Sequence, residues 1–505
     1  MEKIKKIIKD KDLHFALIAS FILGMLAHGY AFFNIIFSHD SLIMFQNDTE
    51  YQISLGRFLH WFIFKFRGNY YVPWLVGFIG IAFIAFTAYL IFKIFNIKEN
   101  WQKILIVAVL CVNRAVIKTI ELYMHDFDIY MIALFFSTLG AYILIKNNGN
   151  FLKQSLSVIP FFISLGLYPA YIQVGIGILM IYIILDLLKN KEKLAVILKR
   201  GFTYIFFLLI GLILYFIGTK LSIKVFNIDI SNKYNSVGNI KNINNLNVIL
   251  HSLKLTYTGL ASFYFKINVF NKKVMFFLNM ILGISGIYFV IKLIRENKLN
   301  IRSILTLILV LALLPFGLNL SCFLSGGISH MLMRYSMTLL YILYILLIDM
   351  YSSNIRKNES NKKLIKSFKT LALILSCFVI FNNMVDANQK YYKKELAFRH
   401  SNNVFNRMII KLEEIEDYEP GKTPVYLIHE SLMDNKEKYG ELSVTYKDTY
   451  KWFLQFVMQY NINLNINENK DLTKEDLEYI KTMSIYPKKD SVKYNNGKVF
   501  IKFGE

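Results

Sequence analysis

The feature that most restricts this chain is a succession of long apolar runs separated by short, mostly basic segments. Hydrophobic residues make up 55% of the 505 positions and charged residues only 18%, against about a quarter in soluble domains. A soluble protein of this length has no core large enough to bury so much apolar surface, whereas a lipid bilayer accepts it. The pattern predicts an all-α polytopic membrane protein, because helices satisfy their own backbone hydrogen bonds in lipid.

Eleven apolar segments are interpreted as membrane-spanning helices. The weakest is the one that Arg114 and Lys118 interrupt, and one long run is divided at Tyr168-Pro169. Proline lacks an N–H and disfavours helix at the residue before it, so a break is expected there. The predicted spans are 13–37, 72–95, 104–123, 129–145, 156–168, 170–188, 202–218, 276–294, 304–318, 336–350 and 371–385.

Positive charge is concentrated in the first 385 residues, which hold 39 basic and 16 acidic side chains, while residues 386–505 hold 19 of each. A basic protein often binds nucleic acid, but here most cations lie in short loops beside apolar spans. An excess of Lys and Arg of this kind is typical of cytoplasmic loops. We therefore predict a multi-pass cell-membrane protein with no nucleic-acid partner, a cytoplasmic N-terminus and a C-terminus on the other side.

The composition changes after the last predicted span, which indicates two domains: a transmembrane domain at 1–385 and an extracytoplasmic domain at 386–505. The second is predicted to be a small α/β domain. Its signals are a charged helical run at 390–416, strand-like segments at 423–428 and 498–503, and a helix-capping pattern at Thr473–Asp476.

Carboxylates are few on the predicted outer side, and three of them lie within a few residues of a span boundary. Asp40 follows the first span, whereas Asp126 and Asp128 precede the fourth. Two acidic positions at matched depth suit acid–base chemistry or sugar binding at the membrane surface. The alternative for each is an ordinary solvated loop carboxylate. We predict Asp40, Asp126 and Asp128 as catalytic residues.

Four cations lie at or near the outer ends of spans, namely Arg57, Arg114, Lys118 and Arg334. A charged group within the membrane is costly and therefore indicates a function, and guanidinium groups match phosphate through paired hydrogen bonds. Arg114 and Lys118 are spaced to share a helix face. The alternatives are snorkelling of Lys118 to the surface and a structural pair of Arg114 with Glu121. We predict all four as ligands of a donor phosphate.

Other polar residues of the outer side are weaker candidates. Tyr168 and Gln173 flank the proline break and His330 lies in an outer loop, so we predict that these three bind substrate, with core packing as the alternative. His39 and His125 each precede an aspartate, which leaves a divalent metal open. However, no helix carries metal-ligand spacing, and no motif requires a cofactor.

These motifs resemble, in order and spacing, those of the GtrII-type glucosyltransferase family of bacterial polytopic membrane proteins, which has the GT-C architecture. His39-Asp40 stands for the family's acid pair, Gly56-Arg57 for its Gly-Arg, Phe127-Asp128 for its aromatic-Asp, and Ser164 to Pro169 for its Ser-x-x-x-Tyr-Gln. The resemblance covers residues 10 to 390, approximately. His39 and Pro169 depart from the family pattern, so Asp40 would act alone or with Asp128.

The resemblance implies an inverting hexosyltransferase of the bacterial plasma membrane. Its donor would be a polyprenyl-phosphate sugar, with glucose as the expected sugar, and its acceptor a hydroxyl of a cell-surface glycan. Asp40 would be the general base on that hydroxyl and Asp128 would orient sugar hydroxyls. Arg57 and Arg334 would stabilise the leaving phosphate.

Two other functions remain open, a polysaccharide polymerase and a lipid-linked oligosaccharide flippase of cell-envelope glycan synthesis. A secondary transporter is less well supported. Transporters of that kind carry charges near the middle of the bilayer and a repeated topology, whereas the charges here lie at the outer edge and no clear repeat is visible.

Overall fold

The computed structural model describes residues 9–36, 38, 49–68, 71–229, 245–266, 272–355, 362–428, 453, 456–465 and 471–504. By internal contacts the chain divides into two units. The first comprises Met1–Phe32, Asn47–Ile120 and Met124–Asn388, and the second comprises Phe33–Gln46, Glu121–Tyr123 and Gln389–Glu505.

Helices account for most of the described chain. They are α1 Lys11–Phe33, α2 Thr49–Ser54, α3 His60–Phe66, α4 Pro73–Phe95, α5 Asn100–Cys111, α6 Arg114–Tyr123, α7 Phe127–Lys146, α8 Phe151–Ser155, α9 Val158–Leu167, α10 Ile172–Lys189, α11 Leu194–Phe226, α12 Leu246–Phe265, α13 Lys272–Glu296, α14 Ile301–Leu318, α15 Leu320–Leu324, α16 Leu339–Ile355 and α17 Lys362–Glu413. Short 3-10 segments occur at Met124–Asp126, Pro169–Tyr171 and Met331–Thr338.

Within the residues that the structure describes, eight helical segments are long and apolar enough to cross a membrane. They are Lys11–Phe33, Pro73–Phe95, Asn100–Lys146, Pro169–Lys189, Leu194–Phe226, Lys272–Glu296, Ile301–Leu318 and Met331–Ser353. Each of the eleven apolar segments predicted from the sequence lies wholly or largely in helix. The predicted all-α polytopic fold is confirmed, while the number of crossings and their direction stay predictions.

The contacts of α7 with α4 and with α9 depend on glycine. A Cβ on Gly80 would lie 2.4 Å from the ring of Phe127, and one on Gly140 would lie 2.4 Å from the ring of Phe161. Small residues at helix contacts let backbones approach closely in membrane proteins. Here each glycine makes a notch that a phenylalanine ring fills, and the notch at Gly80 anchors the residue between the two predicted catalytic carboxylates, Asp126 and Asp128.

Two apolar runs are interrupted. The first break separates α5 from α6 at Asn113, whose Oδ1 accepts hydrogen bonds from the backbone N–H groups of Ala115 and Val116 at 3.0 Å. Its Nδ2 donates to the carbonyl oxygens of Val109 and Leu110, also at 3.0 Å. One amide side chain therefore replaces helix hydrogen bonds on both sides of the break. This replacement is needed inside a membrane, because no water is present there to bond the backbone groups.

The second break falls at Tyr168-Pro169, as predicted. Helix α9 ends at Leu167, Tyr168 is extended with φ −154° and ψ 101°, and α10 follows the 3-10 segment. The proline supplies the physical cause, because it has no N–H to continue the helix of α9.

The second unit contains a four-stranded sheet in the order β2-β1-β4-β3. Strand β1 is parallel to β2 and β4, and β3 is antiparallel to β4. The strands are β1 Pro424–Ile428, β2 Asn463–Leu464, β3 Val492–Asn495 and β4 Lys498–Lys502, and α18 Lys474–Thr482 precedes β3. Val425 and Val499 of the sheet share a buried core with Phe405 and Met408 of α17.

The C-terminal predictions agree with these elements. Both predicted strands are present, and Thr473 with Asp476 forms the predicted capping box at the start of α18. The small C-terminal α/β fold is therefore confirmed. The proposed boundary between residues 385 and 386 falls inside α17, and the division at that point stays a prediction.

Candidate functional site

A cavity of about 880 Å³ lies in the first unit, lined mainly by α10, α11 and α14. Along α10 its wall extends from Ile172 to Ile183, which is about 17 Å at 1.5 Å per residue. Most of the wall consists of aliphatic and aromatic side chains. Arg57 is the only charged residue among the described residues that line it, so the cavity combines one cationic position with a long apolar wall.

Arg57 lies in a turn that follows α2. Its backbone N–H donates to the carbonyl oxygen of Gln52 at 2.9 Å, and Gly56 adopts a φ of 85°. Glycine tolerates this left-handed conformation without steric cost. The Gly-Arg motif thus has a physical reason: the glycine turns the chain so that the arginine reaches the cavity.

The Arg57 side chain has neutral partners. Its Nη1 donates to Gln52 Oε1 at 2.9 Å, and the guanidinium carbon lies 4.7 Å from the centroid of the Tyr168 ring. Among the described residues no carboxylate forms an ion pair with it. Its remaining N–H donors are therefore available to an anion.

Tyrosine side chains connect the proline break with the acidic residues. The ring of Tyr168 lies 4.3 Å from that of Tyr130 and 5.4 Å from that of Tyr171, centroid to centroid, and Tyr171 lies 5.6 Å from Tyr335. All four are buried. The Tyr130 hydroxyl donates to Asp126 Oδ2 at 3.2 Å, so Asp126 belongs to the same packed group as Tyr168 and Arg57.

The two predicted catalytic carboxylates of this region are buried and paired. Asp126 Oδ1 lies 2.9 Å from His60 Nε2. Asp128 Oδ1 accepts from Arg67 Nη1 at 2.7 Å, with only 1% and 3% of the two side chains exposed. Arg67 Nη2 also donates to the His125 carbonyl oxygen at 2.5 Å. Helix α3 and the residue that follows it are thereby fastened to the 125–128 segment.

Arg114 and Arg334 form a separate group. Arg114 donates to the carbonyl oxygen of Phe263 and lies 5.4 Å from the centroid of its ring. Arg334 donates from Nη1 to Ser262 Oγ at 3.3 Å, and from Nε and Nη2 to Ser329 Oγ and O at 3.2 and 3.0 Å. The two guanidinium groups therefore meet at the end of α12, and neither lines the cavity.

The remaining predicted residues are placed as follows. Tyr168 and Gln173 line the cavity, but the Gln173 amide is engaged by backbone: Nε2 donates to Ala170 and Met333 oxygens, and Oε1 accepts from Ser321 N–H. His330 is exposed and outside the cavity lining. Lys118 is half-buried one turn along α6 from Arg114.

Asp40 and His39 lie outside the described residues, so the role of the first acidic position stays a prediction. Considering only the described chain, no three His, Cys, Asp or Glu side chains gather closely enough to hold a metal ion.

The sequence motifs do not reveal His60 and Arg67, the partners of the two buried carboxylates. His60 begins a short aromatic segment, α3, and Arg67 follows its last residue. A titratable side chain that bounds such a segment is the signal that would have identified them. Their acidic partners, however, are more than sixty residues away in the chain.

One comparison with known proteins identifies the family of this chain. The family model described as "Glucosyl transferase GtrII" matches residues 29–348, which is 320 of the 505 residues. Comparison with curated proteins and with solved structures gives no match. The match confirms the resemblance that the motifs indicated, and the apolar helices agree with a membrane enzyme that transfers a glycosyl group. Because it covers more than half of the chain, the protein belongs to the GtrII glucosyl transferase family.

Proposed function

We propose that this protein transfers a sugar, with glucose favoured by the family, from a polyprenyl-phosphate donor to a hydroxyl of a cell-surface glycan. The observation that carries the proposal is the cavity with Arg57 as its charged lining residue. A polyprenyl phosphate has the same distribution of charge, since an anionic head is followed by a long hydrocarbon tail. Because the tail leaves lipid and not water, van der Waals contacts with the apolar wall would hold it in the cavity.

The direction of the cavity supports a donor head group outside the cytoplasm. Helix α10 begins at Ile172, beside Tyr168 and Arg57, and ends at Lys189. The loop after Lys189 is rich in lysine and is therefore predicted to be cytoplasmic. The Arg57 end of the cavity then faces the extracytoplasmic side, and the apolar end extends toward the cytoplasm.

The proposed step is one displacement with inversion at the anomeric carbon. The acceptor oxygen forms a bond to that carbon, the bond from the carbon to the donor phosphate oxygen breaks, and polyprenyl phosphate leaves with the electron pair. Asp40 takes the hydroxyl proton as general base. Arg57, which forms no ion pair with a carboxylate of the described residues, stabilises the charge that develops on the leaving phosphate.

Asp126 and Asp128 have a positioning role in this proposal. Their carboxylates are held by His60, Tyr130 and Arg67. One oxygen of Asp128, Oδ2, has no hydrogen-bond partner among the described residues, so it is the atom proposed to accept from a sugar hydroxyl.

The test compares surface glycan composition in cells that make the protein, lack it, or make single variants whose membrane insertion is verified. Asp40→Asn is expected to abolish the modification. Arg57→Ala is expected to lower transfer by roughly 100- to 1,000-fold, the range for removal of one group that stabilises developing charge. Lys65→Ala is the matched control, because Lys65 contacts the Trp61 ring and does not line the cavity, and it is expected to retain transfer.

Three outcomes would contradict the proposal. Normal modification by Asp40→Asn would exclude the assigned base. Glycan chains that become short in cells lacking the protein would indicate a polymerase, and lipid-linked precursor that accumulates on the cytoplasmic leaflet would indicate a flippase.

A further inference from the structure

The group formed by Arg114 and Arg334 has more positive charge than its contacts neutralise. Both side chains are half-buried. Within the described residues, every oxygen that accepts a hydrogen bond from them is neutral: the Phe263 and Ser329 carbonyls and the Ser262 and Ser329 hydroxyls. Their charges are close enough to repel each other. Asp386 attracts Arg114 but forms no ion pair with it in the described chain.

Such an arrangement is costly by itself. Both arginines lie on segments apolar enough to cross a membrane, Asn100–Lys146 and Met331–Ser353, where an uncompensated charge is destabilising. Arg114 uses one hydrogen bond in its described contacts, although a guanidinium has five N–H donors. An anion that binds both groups would offset the repulsion and use the remaining donors.

This group is distinct from the Arg57 end of the cavity. Tyr335, the residue after Arg334, packs on Tyr171, which packs on Tyr168, the ring beneath Arg57. The Arg57 guanidinium packs on the Tyr168 ring, whereas the Arg114 guanidinium packs on the Phe263 ring. Neither Arg114 nor Arg334 lines the cavity. A single phosphate bound by Arg57 would therefore not also bind these two arginines.

We infer that Arg114 and Arg334 form a second anion site, which binds the diphosphate of a lipid-linked acceptor. The inference rests on the proposed function and gives its acceptor a chemical class. It also assigns Arg114 and Arg334 to a different ligand from Arg57, although the sequence motifs predicted one donor phosphate for all of them. The anion is borne by a lipid because the two arginines belong to membrane-spanning segments, which a water-soluble glycan phosphate reaches poorly.

The experiment uses the full-length protein in lipid nanodiscs and three probes: a polyprenyl monophosphate, a polyprenyl diphosphate and inorganic diphosphate. Arg114→Ala and Arg334→Ala are each expected to weaken binding of the lipid diphosphate by about tenfold or more, as loss of charge-assisted hydrogen bonds does. They should leave the monophosphate unchanged, whereas Arg57→Ala should have the opposite selectivity. Arg114→Lys and Arg334→Lys, which keep the charge, are expected to retain part of the binding.

Several results would overturn the inference. Unchanged diphosphate binding in both alanine variants would exclude the site, and equal loss of both lipid probes would assign these arginines to the donor. Inorganic diphosphate that competes as well as the lipid would exclude a lipid-borne ligand. Asp386→Asn tests whether Arg114 serves a ligand or the fold, because it removes the carboxylate that attracts Arg114. Tighter diphosphate binding by this variant supports the inference. A loss of stability equal to that of Arg114→Ala contradicts it. If the protein transferred no sugar but still bound the lipid diphosphate through Arg114 and Arg334, the proposed reaction would be contradicted and the anion site would stand.

Discussion

Arg57 and Arg67 belong to the same short region between α2 and α4, but their surroundings are opposite. Arg67 is 3% exposed and its guanidinium lies 2.7 Å from the carboxylate of Asp128. Arg57 has a tyrosine ring and an amide oxygen as partners and lines a cavity. A buried charge that forms an ion pair holds two segments together, whereas a charge with neutral partners stays available to a ligand. The same difference separates Arg67 from the Arg114 and Arg334 group.

The largest expected effect is on the paired charges. Arg67→Ala or Asp128→Asn leaves one buried group uncompensated, and we expect unfolding free energy to fall by about 3–5 kcal/mol. Thermal or denaturant unfolding of the purified protein measures this loss. The double variant Arg67→Met with Asp128→Leu should lose much less, because it removes both charges.

Arg57→Ala is the comparison for that experiment. Among the described residues it breaks no ion pair, so we expect a stability loss of only about 1–2 kcal/mol, from one hydrogen bond and one cation–π contact. Equal destabilisation by Arg57→Ala and Arg67→Ala would remove the distinction between the two arginines.

The next effect concerns the apolar end of the cavity. Gly201 of α11 lines it, and a Cβ at this position would meet no atom within 4 Å. Gly201→Leu therefore places a side chain where we propose that the donor tail lies. The displaced part of the tail loses van der Waals contacts of about 0.1–0.2 kcal/mol each with the wall, so we expect KM for a long-chain donor to rise by roughly fivefold. A donor with a shortened tail should be unaffected in the same transfer assay.

Gly283→Leu is the matched control for that variant. Gly283 also has open space around its Cβ position and belongs to α13, but it does not line the cavity. It should leave KM unchanged for both donors. An equal rise of KM in the two variants would show that a general change in helix packing, not the cavity, is responsible.

The smallest expected effect concerns an ion pair outside the membrane-spanning segments. Asp476 accepts from Lys498 Nζ at 2.6 Å, and 21% of the lysine side chain is exposed. Burial raises the pKa of Asp476, but the bond to Lys498, those to Thr473 and the lysine charge together hold the pKa below its ordinary 3.8. The pKa of Asp476 is therefore lower in the folded state than in the unfolded state. The ionised Asp476 stabilises the fold fully above the ordinary pKa, and this stabilisation is lost as the pH falls through the lowered pKa.

Asp476→Asn should therefore reduce stability at neutral pH by up to about 1 kcal/mol and remove part of the acid sensitivity below pH 3.8. Hydrogen exchange of the α18 amides in the full-length protein, measured across pH, checks both effects. Glu478→Gln is the control, because the Glu478–Lys481 pair is 73% and 71% exposed. If both variants behave alike, partial burial does not strengthen this ion pair.

Local patterns in the sequence determined the class of fold and the positions of its elements. Apolar length located the helices, Pro169 located the break after Tyr168, and alternation with a capping pattern located the small sheet and α18. The break at Asn113 was not predicted, since an interrupted apolar run does not show that one amide will bond on both sides. The motifs also selected the family, because their residue types and order are themselves properties of the sequence.

The tertiary structure alone decided which charged groups meet. His60 pairs with Asp126, Arg67 with Asp128, and Arg114 shares the end of α12 with Arg334. Each of these relations joins distant parts of the chain, and each depends on how helices pack, as at the glycine notch that holds Phe127. Helix and strand signals act over a few residues. Whether a charged side chain forms an ion pair or stays available to a ligand depends on neighbours from distant parts of the chain, which only tertiary packing brings together.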